Sequence, residues 1–316
     1  MNPAKPQHPA AVAKHRGWTL AKRGLTLGFF VLVLVLLALL ARRLDWQEVL
    51  TTLRAYRPAT LLLAAGATLA SYLVYSSFDL LGRFYTRHQL HWRQVMPVTF
   101  VCYSFNLNLG SLVGGIAFRY RLYSCLGLGK GVITEVLTLS VMTNWLGYLC
   151  LAGALFALRL VELPPGWALG GGTLQGLGVL LLALIATYLL LCRLAHRRYW
   201  KIRGREIGLP SLPLSLTQIA LGASNWALMA LTVYILLGQR VDYPSVLGAL
   251  LLGSIAGVIT HIPAGLGVLE AVFIALLHHQ ISKGSLLAAL IGYRVIYFLA
   301  PLLIAILTYL ALEAKA

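Results

Sequence analysis

Residues 25–41 read LTLGFFVLVLVLLALLA, seventeen positions with no charge and nothing more polar than Thr26. A helix needs about 20 largely apolar residues to cross the ~30 Å hydrocarbon core of a bilayer. Runs of this kind recur along the whole 316-residue chain, at 25–41, 58–81, 95–118, 131–158, 173–192, 213–238, 244–278 and 284–312. Their weight shows in the totals: 59% of residues are hydrophobic and 11% charged, against about 25% charged in a soluble domain. The fold class predicted is an all-α polytopic membrane protein. A soluble enzyme, a disulfide-stapled secreted module and a disordered chain are excluded.

The formal charge of +17 comes from 26 Lys and Arg against 9 Asp and Glu. These bases lie in short clusters between apolar runs, where they set orientation and meet anionic headgroups. They do not form the continuous basic surface of a nucleic-acid binder, and no nucleic-acid partner is expected. Cys102, Cys125, Cys150 and Cys192 are scattered through apolar stretches without metal-ligand or disulfide spacing. They read as inert thiols, and no metal or cofactor is expected. Residues 1–24 are basic and lead into the first apolar run, which is followed at once by Arg42 and Arg43. That is the pattern of an uncleaved signal anchor with a cytoplasmic N-terminus. One integral domain then fills 25–312, and residues 313–316 form a short cytoplasmic tail.

Two apolar runs are interrupted. The third contains NLNLGSLVGG at residues 106–115, too rich in Asn and Gly for an unbroken helix. The seventh, of 35 residues, would be about 52 Å long as one rod and is broken by THIPAGLG at residues 260–267. Charge decides the threading of the third. If all eight runs span, 11 Lys and Arg fall on the cytoplasmic side and 14 outside. If the third returns to the cytoplasm, the counts become 18 and 7, as the positive-inside rule demands. The seventh run either turns back from the outer face or forms two short spans.

With both hairpins, about six helices span and each half reads helix, helix, hairpin, helix. The second half (173–312) starts on the opposite side from the first (25–158). This is an inverted repeat, the plan of many secondary transporters, with broken helices and substrate near the midplane. Setting GGIAFR (114–119) on GLGVLE (265–270) brings Arg119 opposite Glu270.

Irregular backbone at membrane depth must be satisfied by protein or by a watery cavity. Asn106, Asn108, His261, Pro263, Gly265 and Gly267 are therefore candidates for the lining of such a cavity. Glu270 and Arg294 are ionisable groups inside apolar helices, where a charge costs at least ~2.5–3.5 kcal/mol and requires a partner or a function. Either they neutralise each other, or Arg294 binds phosphate, with Arg119 and Arg121 beside it and Glu270 as gate or counter-charge. Arginine's planar fork matches phosphate oxygens. Arg119 and Arg121 are otherwise interfacial anchors. Asn144-Trp145 and Asn225-Trp226 read first as helix-packing pairs. Asp79 and Glu135 are expected near cytoplasmic helix ends, against headgroups or nearby arginines. No GxSxG, HExxH or Walker loop occurs, so no enzymatic activity is expected.

The run SIAGVITHIPAGLGVLEAVFIALL (254–277), the segment GGIAFRYRLYSCLGLGKGVIT (114–134), the paired NW helices and YRVIYF (293–298) resemble the lysylphosphatidylglycerol synthase/flippase transmembrane family, in its stand-alone inner-membrane branch. The resemblance covers nearly the whole chain. It implies a bacterial inner-membrane protein that handles lipid: a flippase-like translocase or lipid-binding transporter for an anionic or aminoacylated phospholipid. Aminoacyl transfer is not implied, because the soluble domain that performs it in two-part members has no counterpart here. Two alternatives stand beside this one: a non-catalytic partner of an envelope-lipid synthase, and an ion-coupled carrier of a small anion. The oligomeric state is not legible.

Overall fold

The computed structural model describes residues 54–161, 171–194, 199–202, 205–260 and 266–314, together with Gln47 and Thr51. The predicted first span, at 25–41, falls outside the described residues. Residues from Leu50 onward form one compact unit. Its elements run α1 (Pro58–Thr86), α2 (Trp92–Leu109), a π-helical turn π1 (Ser111–Ala117), α3 (Phe118–Cys125), α4 (Lys130–Ala157), α5 (Gly171–Leu194), β1 (Tyr199–Ile202), β2 (Arg205–Gly208), α6 (Leu212–Leu236), α7 (Tyr243–Thr260), α8 (Val268–Leu277), α9 (Lys283–Tyr293), a second π-helical turn π2 (Arg294–Leu299) and α10 (Ala300–Glu313).

Among the described residues six helices are long and apolar enough to cross a membrane: α1, α4, α5, α6, α7 and the continuous rod Lys283–Glu313. All but α7 coincide with predicted spans, and α7 is the first arm of the interrupted seventh run. The all-α polytopic class holds. The exception is local: β1 and β2 pair antiparallel, Tyr199 opposite Gly208 and Ile202 opposite Arg205, inside a basic stretch read from sequence as plain loop. Its Tyr-Trp-Lys-Ile and Arg-Glu-Ile-Gly strings, only two residues apart, have the aromatic and β-branched content of a tight hairpin.

Both interrupted runs double back. After Leu109 the chain turns through Gly110, whose φ of 86° is costly for a side-chain-bearing residue. The return arm then packs antiparallel on α2. Phe105 and Phe118 stack with centroids 4.2 Å apart, and Gly114 lies so close that a Cβ there would sit 2.0 Å from the Asn106 nitrogen. The second hairpin lays α8 on α7, with Gly253 seated against Leu269. The first arms, α2 and α7, are each 18 residues, about 27 Å.

The last rod widens at π2, and such a turn leaves carbonyls without their usual intrahelical partner. Neighbouring helices supply replacements. The Tyr72 hydroxyl donates to the Tyr297 carbonyl at 3.0 Å and Asn108 Nδ2 to the Phe298 carbonyl at 3.3 Å. Beside it, buried hydroxyls and an amide form a chain across four elements: Tyr103 Oη to Tyr297 Oη, 2.9 Å, then Ser71 Oγ, 2.7 Å, then Asn225 Oδ1, 2.8 Å. In a low-dielectric interior such linked bonds reinforce one another and fix the register of α1, α2, α6 and π2. Tyr75 stacks on Tyr103 at 3.5 Å and 11°. The α4–α6 crossing is as tight as that of the first hairpin: a Cβ on Gly147 would collide with the Gly222 main chain.

Candidate functional site

A cavity of about 550 Å³ opens between the two hairpins. One wall is the end of the first hairpin, from Asn106 through Leu112; another is α7 from Leu250 to Val258. Asn144, Trp145 and Tyr148 of α4 and Trp226 of α6 form the sides, and Tyr75, Tyr103 and Tyr293 contribute aromatic rings. No ionisable carboxylate, ammonium, guanidinium or imidazole group lines it among the described residues. The surface is one of amides, hydroxyls, aromatic faces and aliphatic groups.

The sequence-predicted residues divide around this space. Asn106 lines it. Asn108 is buried away from it and ties α2 to π2, donating to the Ser104 carbonyl at 2.8 Å as well as to Phe298. Gly267, with φ 81°, caps α8, and its N–H donates to Glu270 Oε2 at 2.9 Å. His261, Pro263 and Gly265 lie outside the described residues.

Glu270 and Arg294 meet in a two-pronged pair, Nε to Oε1 at 2.6 Å and Nη2 to Oε2 at 2.9 Å, with side chains 17% and 8% exposed. The sequence neighbours Leu269 and Tyr293 line the cavity. So does Phe298, whose ring lies 6.0 Å from the Arg294 guanidinium carbon. The pair itself does not line the cavity but adjoins these lining residues. In this conformation the two charges are paired with each other, the first of the two roles read from sequence. A glutamate at the third position of α8 also interacts favourably with that helix's N-terminal dipole.

Arg119 and Arg121 are elsewhere. Arg119 is 2% exposed and locked onto Asp79, itself fully buried, by Nε–Oδ2 and Nη2–Oδ1 contacts of 3.1 Å each. Ser140 Oγ accepts from Nη2 at 3.0 Å and the Gly115 carbonyl from Nη1 at 3.3 Å, and Tyr123 donates to Asp79 at 2.8 Å. Asp79 thus meets an arginine, as expected, but in the interior of the protein. Arg121 pairs with Glu313 at 2.6 Å and with the Tyr309 hydroxyl at 2.9 Å. That contact fastens the return arm of the first hairpin to the last turn of α10, and both side chains are 21% exposed. Neither arginine lines the cavity.

The two Asn-Trp pairs take different parts. Asn225 belongs to the buried hydrogen-bond chain, and Trp226 Nε1 donates to the Asn144 carbonyl at 3.2 Å, joining α6 to α4. Asn144 and Trp145 face the cavity. What sequence reasoning missed is the aromatic lining: tyrosines inside apolar helices, each carrying a hydroxyl that the bilayer cannot satisfy, were the signal.

Residues 25–305 match the family described as the lysylphosphatidylglycerol synthase transmembrane region. The chain belongs to that family. It is 51% identical over 303 residues to the inner membrane protein YbhN of Escherichia coli (strain K12), covering 96% of this chain and 95% of that protein. It is also 32% identical over 262 residues to the uncharacterized protein slr0712 of Synechocystis sp., covering 81% of this chain and 80% of that one. With its six apolar helices the chain is a multi-pass membrane protein.

Proposed function

We propose that the protein is an inner-membrane lipid translocase, or lipid-binding transporter, for an anionic phospholipid, and that the cavity between the hairpins holds the headgroup while the acyl chains stay in the bilayer. The observation that carries this reading is the Glu270–Arg294 pair itself, whose chain neighbours Leu269 and Tyr293, and whose ring neighbour Phe298, line the cavity. A phosphate that reached Arg294 would compete with the Glu270 carboxylate for the same guanidinium fork. The pair then acts as a latch: closed when empty, opened by lipid phosphate.

The hairpins are taken to dip into the membrane from opposite faces as an inverted repeat. In support, α2 and α7 have equal length, while α8 has only 10 residues, about 15 Å, half the hydrocarbon thickness. Membership in a family named for lysylphosphatidylglycerol synthase and likeness to an inner-membrane relative point the same way.

The test is lipid movement in reconstituted vesicles. Arg294→Lys keeps the charge but not the fork, and Glu270→Gln keeps the shape but not the charge. Both are expected to slow movement at least about tenfold, the size of one lost charge-assisted contact. Wild-type rates in both variants would remove Glu270 and Arg294 from the site.

A further inference from the structure

The return arms of the two hairpins are fastened very differently. That of the first, α3, is tied to three other helices. Arg119 and Tyr123 both bond to Asp79 of α1. Arg119 reaches Ser140 of α4, and the Tyr120 and Thr134 hydroxyls share a bond of 2.6 Å with the same helix. Arg121 holds Tyr309 and Glu313 of α10. The return arm of the second hairpin, α8, has a single polar tie to another helix among the described residues, the Glu270–Arg294 pair. Its companion α7 is anchored independently: Tyr148 of α4 donates to the Leu251 carbonyl at 3.0 Å, and Tyr243 donates to the Ala227 carbonyl of α6 at 2.8 Å.

We propose that α8 is the moving gate of the cavity and the first hairpin its fixed frame, and that opening of the Glu270–Arg294 pair frees α8 to slide along α7. The inference rests on the lipid-binding reading above and adds how that site opens. Apart from Glu270, α8 is held by apolar packing, with Leu269, Phe273, Leu276 and Leu277 buried. Inside a bilayer such packing has no hydrophobic drive behind it, because lipid tails are as apolar as leucine. Contacts of this kind are also non-directional, so one packed arrangement can pass into another by a small shear. The α7 surface is smooth at the crossing, where Gly253 has no side chain to interlock with Leu269. Leu269 of α8 shares the cavity wall with Gly253, Ser254 and Val258 of α7, so a shift between the arms changes the width of the cavity. A matching shift of α3 would have to break its bonds to α1, α4 and α10 together. The two halves therefore resemble each other in plan and differ in mobility.

A disulfide across the two arms tests the gate directly. A Cβ at position 253 would lie 3.7 Å from the Val272 Cβ, within the disulfide range, so Gly253→Cys/Val272→Cys staples α8 to α7. The full chain is reconstituted in vesicles of phosphatidylethanolamine and phosphatidylglycerol, and the movement of fluorescent phosphatidylglycerol is followed. The oxidised staple is expected to slow movement at least about tenfold, dithiothreitol to restore it, and Gly253→Cys alone to be indifferent to reductant. Spin labels give a second measurement should the staple fail to fold. In a chain freed of its four cysteines, labels on the exposed positions Ala271 of α8 and Leu216 of α6 report the gate, and labels on Ser124 of α3 and Leu216 report the frame. Glu270→Gln should add a second distance to the first pair, shifted by up to about 5 Å, one helical turn, and leave the second pair unchanged. A gate left open at all times completes no cycle, in keeping with the slowed movement expected of that variant.

Undiminished movement in the oxidised staple, or a single unaltered Ala271–Leu216 distance in Glu270→Gln, overturns the gate and leaves the lipid reading standing. A second distance in a protein whose wild type moves no lipid supports the gate and overturns the lipid reading.

Discussion

Arg119 was a candidate phosphate ligand from sequence and is a buried strut in the structure, and replacing Asp79 separates the two roles. Asp79→Ala leaves a guanidinium enclosed at 2% exposure with only Ser140 and the Gly115 carbonyl to bond. Removing one member of a buried pair costs about 3–5 kcal/mol. Tyr123 loses its carboxylate acceptor as well, a bond to a charged group worth about 1.5–3 kcal/mol. Because the two losses share one residue they do not add in full, and about 5 kcal/mol is the expected total. In a chain of this size that lowers the melting midpoint by on the order of 10 °C.

Arg119→Met alone should cost a similar amount by stranding Asp79. The double variant Asp79→Ala/Arg119→Met carries no buried charge and should recover at least about 2 kcal/mol relative to the sum of the singles. Thermal unfolding of the four proteins in one detergent, followed by light scattering and tryptophan fluorescence, closes the cycle. The reasoning is refuted if the losses simply add, or if Arg119→Met leaves the midpoint unchanged while abolishing lipid movement.

Arg121→Ala should be mild, under about 1 kcal/mol by the same melting assay, because its pair with Glu313 is partly solvated. Gly147→Ala forces the α4 and α6 backbones apart, since the new Cβ would collide at 2.0 Å with main chain; a loss of about 1–3 kcal/mol is expected. Gly66→Ala, in α1 with open space around it, is the control and should stabilise by up to about 1 kcal/mol. Burial and the nearby Arg83 hold the His88 imidazole below its ordinary value, against a smaller opposing pull from Asp79. The unfolded chain therefore takes up a proton first as pH falls through about 6.5. Stability is full above that value and declines below it until the lowered folded-state value is passed. Protonation also removes the acceptor that Nδ1 offers the Leu90 N–H at 3.3 Å, and His88→Gln should flatten the acid limb of a melting-versus-pH curve.

Apolar length alone located the membrane-crossing helices from α1 onward to within a few residues, because a bilayer sets that length directly, but not α3, which continues seven residues past the end of the third run at 118. The two breaks were legible for a related reason: Asn, Gly and Pro clusters are poor helix formers, and Gly110 and Gly267 do adopt positive φ. Partnerships were harder. Nothing local marks Asp79 as the mate of Arg119, forty positions away, since the pairing depends on how α1 packs against the hairpin. The same holds for Arg121 and Glu313, which join a return arm to a helix end read from sequence as tail. The aromatic cavity wall draws on α1, α2, α4, α6, α9 and π2, one or two residues from each, so no window of sequence contains it.

The wide turn at residues 294–299 amounts to a single amino acid inserted into a rod that is otherwise regular. Each residue of an α-helix advances the azimuth by about 100°. Deleting one position there would swing everything on the N-terminal side, Tyr293 included, a quarter turn or more relative to Pro301 and Tyr309. Chains of this family that share the Glu–Arg pair should therefore keep the spacing between that arginine and the following proline to the residue, and a gap at this point in an otherwise good alignment would mark a protein whose cavity is built differently.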